Sequence, residues 1–265
     1  MKKALLVVSF GTSYPDTLEK NIVACEQALA ACCPDRTLLR AFTSGMIIRK
    51  LARRDGLVIP SPAQALQQLA EQGYQDVAIQ SLHIINGDEY EKVVRDTALW
   101  QGHFARLVLG SPLLSTFEDY QQLMAALRSQ MPPLADDEQV VFMGHGASHH
   151  AFAAYACLDH MMQACHFPAR VGAVESYPEV GQLVHSMQQQ GVRRVVLMPL
   201  MLVAGDHAIN DMASDAPDSW KSCFAAAGIP AQVCLQGLGE NPAIRSQFVT
   251  HLQQALAAGT QEVAA

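Results

Sequence analysis

The sequence predicts an α/β protein of two similar lobes, each a parallel sheet wrapped by helices. Three observations carry that expectation. Apolar runs of strand length alternate with segments of helical period, a stretch rich in proline and acid interrupts the series near its midpoint, and landmarks of the first half recur in the second.

Ala4 to Phe10 is a continuous apolar run and reads as a buried first strand. Thr17 to Cys33 is a helix, with Leu18, Ile22, Cys25 and Leu29 spaced to share one face. Thr37 to Phe42 is the second strand. Gly45 to Arg54 and Pro62 to Gln72 are helices, the latter opened by its proline and closed by Gly73. Val77 to Leu82 and Ala105 to Leu109 are the third and fourth strands, on either side of a helix from Asp88 to Leu99. Alternation of this kind means parallel strands joined by helical crossovers.

Met131-Pro132-Pro133-Leu134-Ala135-Asp136-Asp137-Glu138 then breaks the pattern and reads as a linker. Beyond it come strand Gln139 to Met143, helix His149 to Cys165, strand Arg170 to Val174, helix Glu179 to Gln190 and strand Arg194 to Pro199. An irregular loop leads to a short helix near Ser219 to Ala227, strand Gln232 to Leu235 and a closing helix Pro242 to Ala257. The expected lobes are therefore residues 1–130 and 139–265.

Composition narrows the functional classes. Half the residues are hydrophobic and 16% are charged, as in a compact soluble protein. The net charge of -7 argues against a general nucleic-acid binder. Seven cysteines without a Cys-x-x-Cys pair suit a reducing compartment better than a disulfide framework. Lys2-Lys3 before an apolar run resembles a secretory signal, but Asp16, Glu19 and Lys20 follow before any plausible cleavage site. No apolar stretch approaches the ~20 residues of a membrane span, so a cytoplasmic protein with no membrane partner is expected. A homo-oligomer is left open, since chains of 28.7 kDa often self-associate.

The duplication can be followed residue by residue. Adding 118 carries Gly73 to Gly191, Leu82 to Leu200, Gly87 to Gly205, Asp88 to Asp206 and Glu89 to His207. Adding 135 carries Ser9-Phe10-Gly11-Thr12-Ser13 onto Gly144-His145-Gly146-Ala147-Ser148. Histidines thus stand in the second half where the first has Phe10 and Glu89. A histidine held between two glycines is presented rather than buried, because the backbone can turn tightly there. In open parallel sheets, ligands gather outside the carboxyl ends of the strands. His145 follows the first strand of the second half, Glu175 the second and His207 the third, and the three make a nitrogen and oxygen set suited to a first-row divalent metal.

The paired halves, Gly144-His145-Gly146-Ala147-Ser148, Met198-Pro199-Leu200 followed by Gly205-Asp206-His207, and the opening Leu6-Val7-Val8-Ser9-Phe10-Gly11-Thr12-Ser13 resemble the class II tetrapyrrole chelatases, and most closely the cobalt-inserting members that act on sirohydrochlorin in anaerobic cobalamin synthesis. The resemblance covers essentially the whole chain. It implies two Rossmann-like lobes with a cleft between them, a macrocycle bound and bent there, and insertion of Co2+ into sirohydrochlorin or precorrin-2 without ATP. No tightly bound cofactor is implied, the metal being a substrate.

Insertion removes two pyrrolic protons and strips water from the metal. Neutral imidazole, with an ordinary pKa of about 6.5, can bind metal or accept a proton. His145 and His207 are therefore expected to be metal ligands and proton acceptors, and Glu175 the charge-balancing third ligand. Sirohydrochlorin is a polycarboxylate, so a protein of net charge -7 needs a local basic region. Arg36, Arg40, Arg49, Lys50, Arg53 and Arg54 form one without intervening acids, and Arg53 and Arg54 are the preferred carboxylate ligands. Phe10, Gly11, Thr12 and Ser13 would offer the ring an apolar face and donors, with His83 and Glu89 as secondary substrate contacts.

Rival classes fare less well. A dinucleotide enzyme would want Gly-x-Gly-x-x-Gly, but His149 stands where the third glycine belongs, and a serine hydrolase would want the absent Gly-x-Ser-x-Gly. A metal-carrying or solute-binding module stays open, as does iron insertion toward sirohaem. The donor set alone would take Co2+, Fe2+, Ni2+ or Zn2+.

Overall fold

The computed structural model describes residues 1–261 and divides into two compact units, each built on a four-stranded, all-parallel sheet. In the first, β1 (Lys3–Ser9), β2 (Thr37–Phe42), β3 (Asp76–Ser81) and β4 (Arg106–Gly110) lie in the order β2-β1-β3-β4. Its helices begin with α1 (Pro15–Thr17), which runs through a π-helical segment (Leu18–Val23) into α2 (Ala24–Cys32). They continue with α3 (Gly45–Asp55), α4 (Pro62–Glu71), α5 (Asp88–Trp100) and the start of α6 (Phe117–Gln130).

The second unit takes the same form. Strands β5 (Glu138–Gly144), β6 (Ala169–Ala173), β7 (Arg194–Pro199) and β8 (Ala231–Val233) lie in the order β6-β5-β7-β8, with α7 (Ala153–Ala164), α8 (Val180–Gln189) and α9 (Trp220–Ala226) as crossovers. The final helix is α10 (Pro242–Gln261). Helices on both faces of a parallel sheet bury its central strands completely, which is why these read as unbroken apolar runs. Ala4 to Val8 of β1 and Val140 to Met143 of β5 are inaccessible to solvent. The internal duplication extends to the backbone: Gly11 and Gly146 share φ values of +98° and +94°. Among the described residues no helix is long and apolar enough to cross a membrane, and all seven cysteines are free.

Four expectations need correction. Phe117–Gln130 is helical, and the first unit ends inside it, at Asp119. The Pro132-Pro133 stretch is therefore a connection within the second unit rather than the border between lobes. Second, α10 belongs to the first unit, not to a lobe spanning 139–265. It packs against β3, β4 and α2 through fully buried Ile244, Phe248 and Leu252. Its buried His251 lies 2.8 Å from the Asp119 carboxylate, and Gln247 donates to the Leu113 carbonyl at 2.9 Å. The sequence indicates a closing helix here but not the sheet against which it packs.

Third, Arg36 and Arg40 are structural. Arg36 is buried against Asp76 at 2.8 Å, and Arg40 makes a two-pronged pair with Glu26 at 2.6 and 2.5 Å. Fourth, His83 is an interior residue rather than a substrate contact. Its Nδ1 lies 2.8 Å from the Ser81 hydroxyl and its Nε2 lies 3.2 Å from that of Thr43. Burial pushes the imidazole down to about 4, with the Glu89 carboxylate opposing and Lys92 reinforcing the shift.

Two outcomes follow from these packing arrangements. Phe248→Ala should cost about 3–5 kcal/mol in urea unfolding, with amide exchange accelerating in β3 and β4 rather than in the second sheet. For His83, the folded state stays neutral to about pH 4, whereas the unfolded chain takes up a proton near 6.5. Its contribution is therefore complete above pH 6.5 and is lost as pH falls toward 4. His83→Asn should flatten the fall in stability across that window, measured by denaturant midpoints at successive pH values.

Candidate metal centre

In the second sheet β5 is hydrogen-bonded to β6 on one side and β7 on the other. Loops leaving the carboxyl ends of these three neighbours must converge, and each carries one of the expected ligands. His145 leaves β5, Glu175 leaves β6, and His207 opens the helical turn that follows β7.

The loops are tied to one another through their backbones. Val174 N–H donates to the Gly144 carbonyl at 3.0 Å and Glu175 N–H to that of His145 at 2.9 Å, so the ladder runs past the strand ends into the site. Gly146 permits this closeness: a Cβ there would stand 2.8 Å from Ser176 Oγ and 2.9 Å from its backbone nitrogen. Ser176 Oγ also accepts from Ala147 N–H at 3.2 Å. From below, the buried ring of Tyr155 lies against Gly144. Burial pushes its phenol up to about 12, an effect opposed by hydrogen bonds from the backbone of Gly146 and His145.

One potential ligand atom from each of His145, Glu175 and His207 lies within 4.8 Å of the others. At metal–ligand lengths of about 2.1 Å, neighbouring donors stand roughly 3–3.5 Å apart. The observed set is thus slightly open, and because all three side chains are part-exposed, small rotations would close it. The imidazoles of His145 and His207 meet edge to face with centroids 4.6 Å apart. Nδ1 of His145 is 3.2 Å from the Gly146 carbonyl and 3.6 Å from the Glu175 carboxylate. Nδ1 of His207 is 2.6 Å from Asp211 Oδ2. With both Nδ1 atoms facing acceptors, each Nε2 can present its lone pair. Asp211 is absent from the sequence-based candidates, although its spacing of four from His207 is the signal that could have found it.

The matching rim of the first sheet carries no such set. Phe10 stands at the position of His145 and is 40% exposed. At Gly11, a Cβ would collide with the Phe42 ring at 2.6 Å. Thr12 and Ser13 are buried, so their side chains are not displayed to a ligand as expected. The Thr12 hydroxyl lies 2.9 Å from that of Thr17 and accepts from Tyr14 N–H at 3.2 Å, which closes the turn into α1. Glu89 lies in the first turn of α5 and pairs with Lys92.

On α3, capped by Ser44, the residues Met46, Arg49, Lys50, Arg53 and Arg54 line an open depression of about 500 Å³. Arg54 is engaged within its own unit, donating to the Ser13 carbonyl at 2.6 Å and pairing with Asp55 at 2.7 Å. Arg49, Lys50 and Arg53 extend into solvent.

Comparison with known proteins places the chain in a family. The model for cobalt chelatase (CbiK) matches residues 3–257. A sirohydrochlorin cobaltochelatase of Salmonella typhimurium is 73% identical over 264 residues, covering 100% of both chains. The sirohydrochlorin cobaltochelatase CbiKC of Nitratidesulfovibrio vulgaris is 33% identical, covering 97% of this chain and 92% of its own. SirB from Bacillus subtilis, solved with Fe3+, superposes with a TM-score of 0.66 at 14% identity and 98% coverage of both chains. The sirohydrochlorin chelatase SirB from Bacillus subtilis subspecies spizizenii, in complex with cobalt, gives a TM-score of 0.63 at 14% identity and the same coverage. These two structures share the fold. With a model that spans nearly every residue and a relative identical at almost three positions in four, the chain belongs to the cobalt chelatase (CbiK) family.

Proposed function

We propose that the protein inserts Co2+ into sirohydrochlorin without nucleotide hydrolysis, and that His145, Glu175 and His207 hold the metal before transfer. The observation that carries this reading is the convergence of two imidazoles and one carboxylate from three adjacent strand ends. Two neutral donors and one anion leave a net positive charge on a divalent ion and open coordination positions, as a metal that must be handed to a second ligand requires. Part exposure of all three side chains lets them follow the metal or fall back from it.

Each transfer exchanges one M2+ for two pyrrolic protons. The imidazoles of His145 and His207 are the bases at hand, and an imidazole that gives up the metal regains a lone pair able to take one of those protons. Glu175, 3.6 Å from His145, would stabilise the imidazolium so formed. Within the first unit, exposed Phe10 offers an apolar face suited to a macrocycle, and Arg49, Lys50 and Arg53 offer charge suited to its carboxylates. Arg54, Thr12 and Ser13 would shape that rim through their internal bonds rather than by contact. Cobalt rather than Fe2+, Ni2+ or Zn2+ is assigned by kinship, since the donors accept them all. A reducing cytoplasm suits the seven free thiols.

His145→Ala and His207→Ala should each lower insertion to the rate without enzyme while the circular dichroism spectrum stays that of the wild type. The assay is anaerobic, with sirohydrochlorin and Co2+ followed by macrocycle absorbance. Retained activity in either variant would remove that histidine from the mechanism. Arg53→Ala should raise the apparent KM for sirohydrochlorin more than it lowers kcat. An unchanged KM would return Arg53 to the solvated surface.

A further inference from the structure

The helical turn Ala208–Met212 that follows His207 brings the Asp211 carboxylate to 2.6 Å from Nδ1 of His207. Residues four apart on a helical turn share one side, so the contact is built into the local fold. Asp211 is half-exposed and its spacing from Nδ1 is at the short end for a hydrogen bond, as expected when the acceptor is charged. A carboxylate can only accept, so the proton of this bond is on Nδ1, and in the neutral imidazole the lone pair is then on Nε2.

Resting on the metal-holding role given to His207 above, we propose that Asp211 is a positioning residue for that histidine. It fixes the tautomer and the ring plane in which Nε2 meets the incoming cation. The two histidines differ in this respect. Nδ1 of His145 faces a neutral backbone carbonyl at 3.2 Å, with Glu175 beyond ordinary hydrogen-bond reach at 3.6 Å, and Glu175 is itself a ligand candidate. Of the two, His207 therefore has the closer carboxylate at its Nδ1, at 2.6 Å against 3.6 Å.

Asparagine in place of Asp211 keeps the shape but offers an amide that can donate to Nδ1 and so favour the tautomer whose Nε2 is protonated. Loss of such an outer carboxylate typically weakens metal binding 10–100-fold. The test titrates Co2+ into the protein without macrocycle, following the visible cobalt absorption bands, for wild type, Asp211→Asn, His207→Ala and the double variant. Asp211→Asn should weaken Co2+ about 10–100-fold and change the band positions. In the His207→Ala background the same substitution should have no further effect, because the aspartate acts through the imidazole. In turnover, Asp211→Asn should lower kcat with KM for sirohydrochlorin unchanged.

Wild-type affinity and spectrum in Asp211→Asn would overturn the inference. So would an equal loss in the His207→Ala background, which would make Asp211 a ligand or a through-space charge in its own right. If His207→Ala itself binds Co2+ like the wild type, the metal-holding role of His207 fails instead, and the two failures are distinguished by that variant.

Discussion

The position of β5 between β6 and β7 is the constraint on which the candidate metal centre depends. A parallel sheet that grows outward in both directions from one strand leaves a gap above that strand, because the crossovers depart to opposite sides. Three loops then end within a few ångströms of one another without any of them having to be long. His145 and Glu175 are held by hydrogen bonds that prolong the β5–β6 ladder, so their spacing is set by the sheet rather than by their own side chains. Tyr155 beneath and Ser176 beside the glycine turn remove the remaining freedom of that backbone.

The same arrangement exists in the first sheet, with β1 between β2 and β3, and carries different chemistry. Where β5 ends in a histidine, β1 ends in Phe10. Beyond β3 the corresponding histidine is replaced by Glu89, drawn into a pair with Lys92. Nearby His83 is locked between two hydroxyls in the interior. One backbone plan thus gathers a candidate metal-ligand set in one half and, among the described residues, none in the other, and the difference rests on a few side chains at strand ends.

Most of the architecture was legible because strands and crossover helices of a doubly covered sheet announce themselves as apolar runs and helical periods. The three candidate ligands could be brought together on paper for the same reason, each following a recognisable strand. What escaped depended on partners distant in sequence. Nothing local in Arg36 or Arg40 reveals that Asp76 and Glu26 await them in the fold, so both looked like part of a basic surface. The helix Phe117–Gln130 has Tyr120, Leu123 and Leu127 at helical spacing and was overshadowed by the prolines after it. Asp211 escaped because an aspartate four residues from a histidine is ordinary until the histidine is known to face a ligand.

The return of α10 to the first unit has a consequence for biosynthesis. Residues 120–238, which hold the whole second sheet and its three candidate ligands, form an uninterrupted stretch of chain. The first unit is interrupted and lacks the helix that packs against β3 and β4 until residues 242–261 have been made. Because domains form as their segments emerge from the ribosome, the half translated second has all its parts first. The half translated first must wait, with β3 and β4 lacking that cover, until residues 242–261 follow the completed second unit.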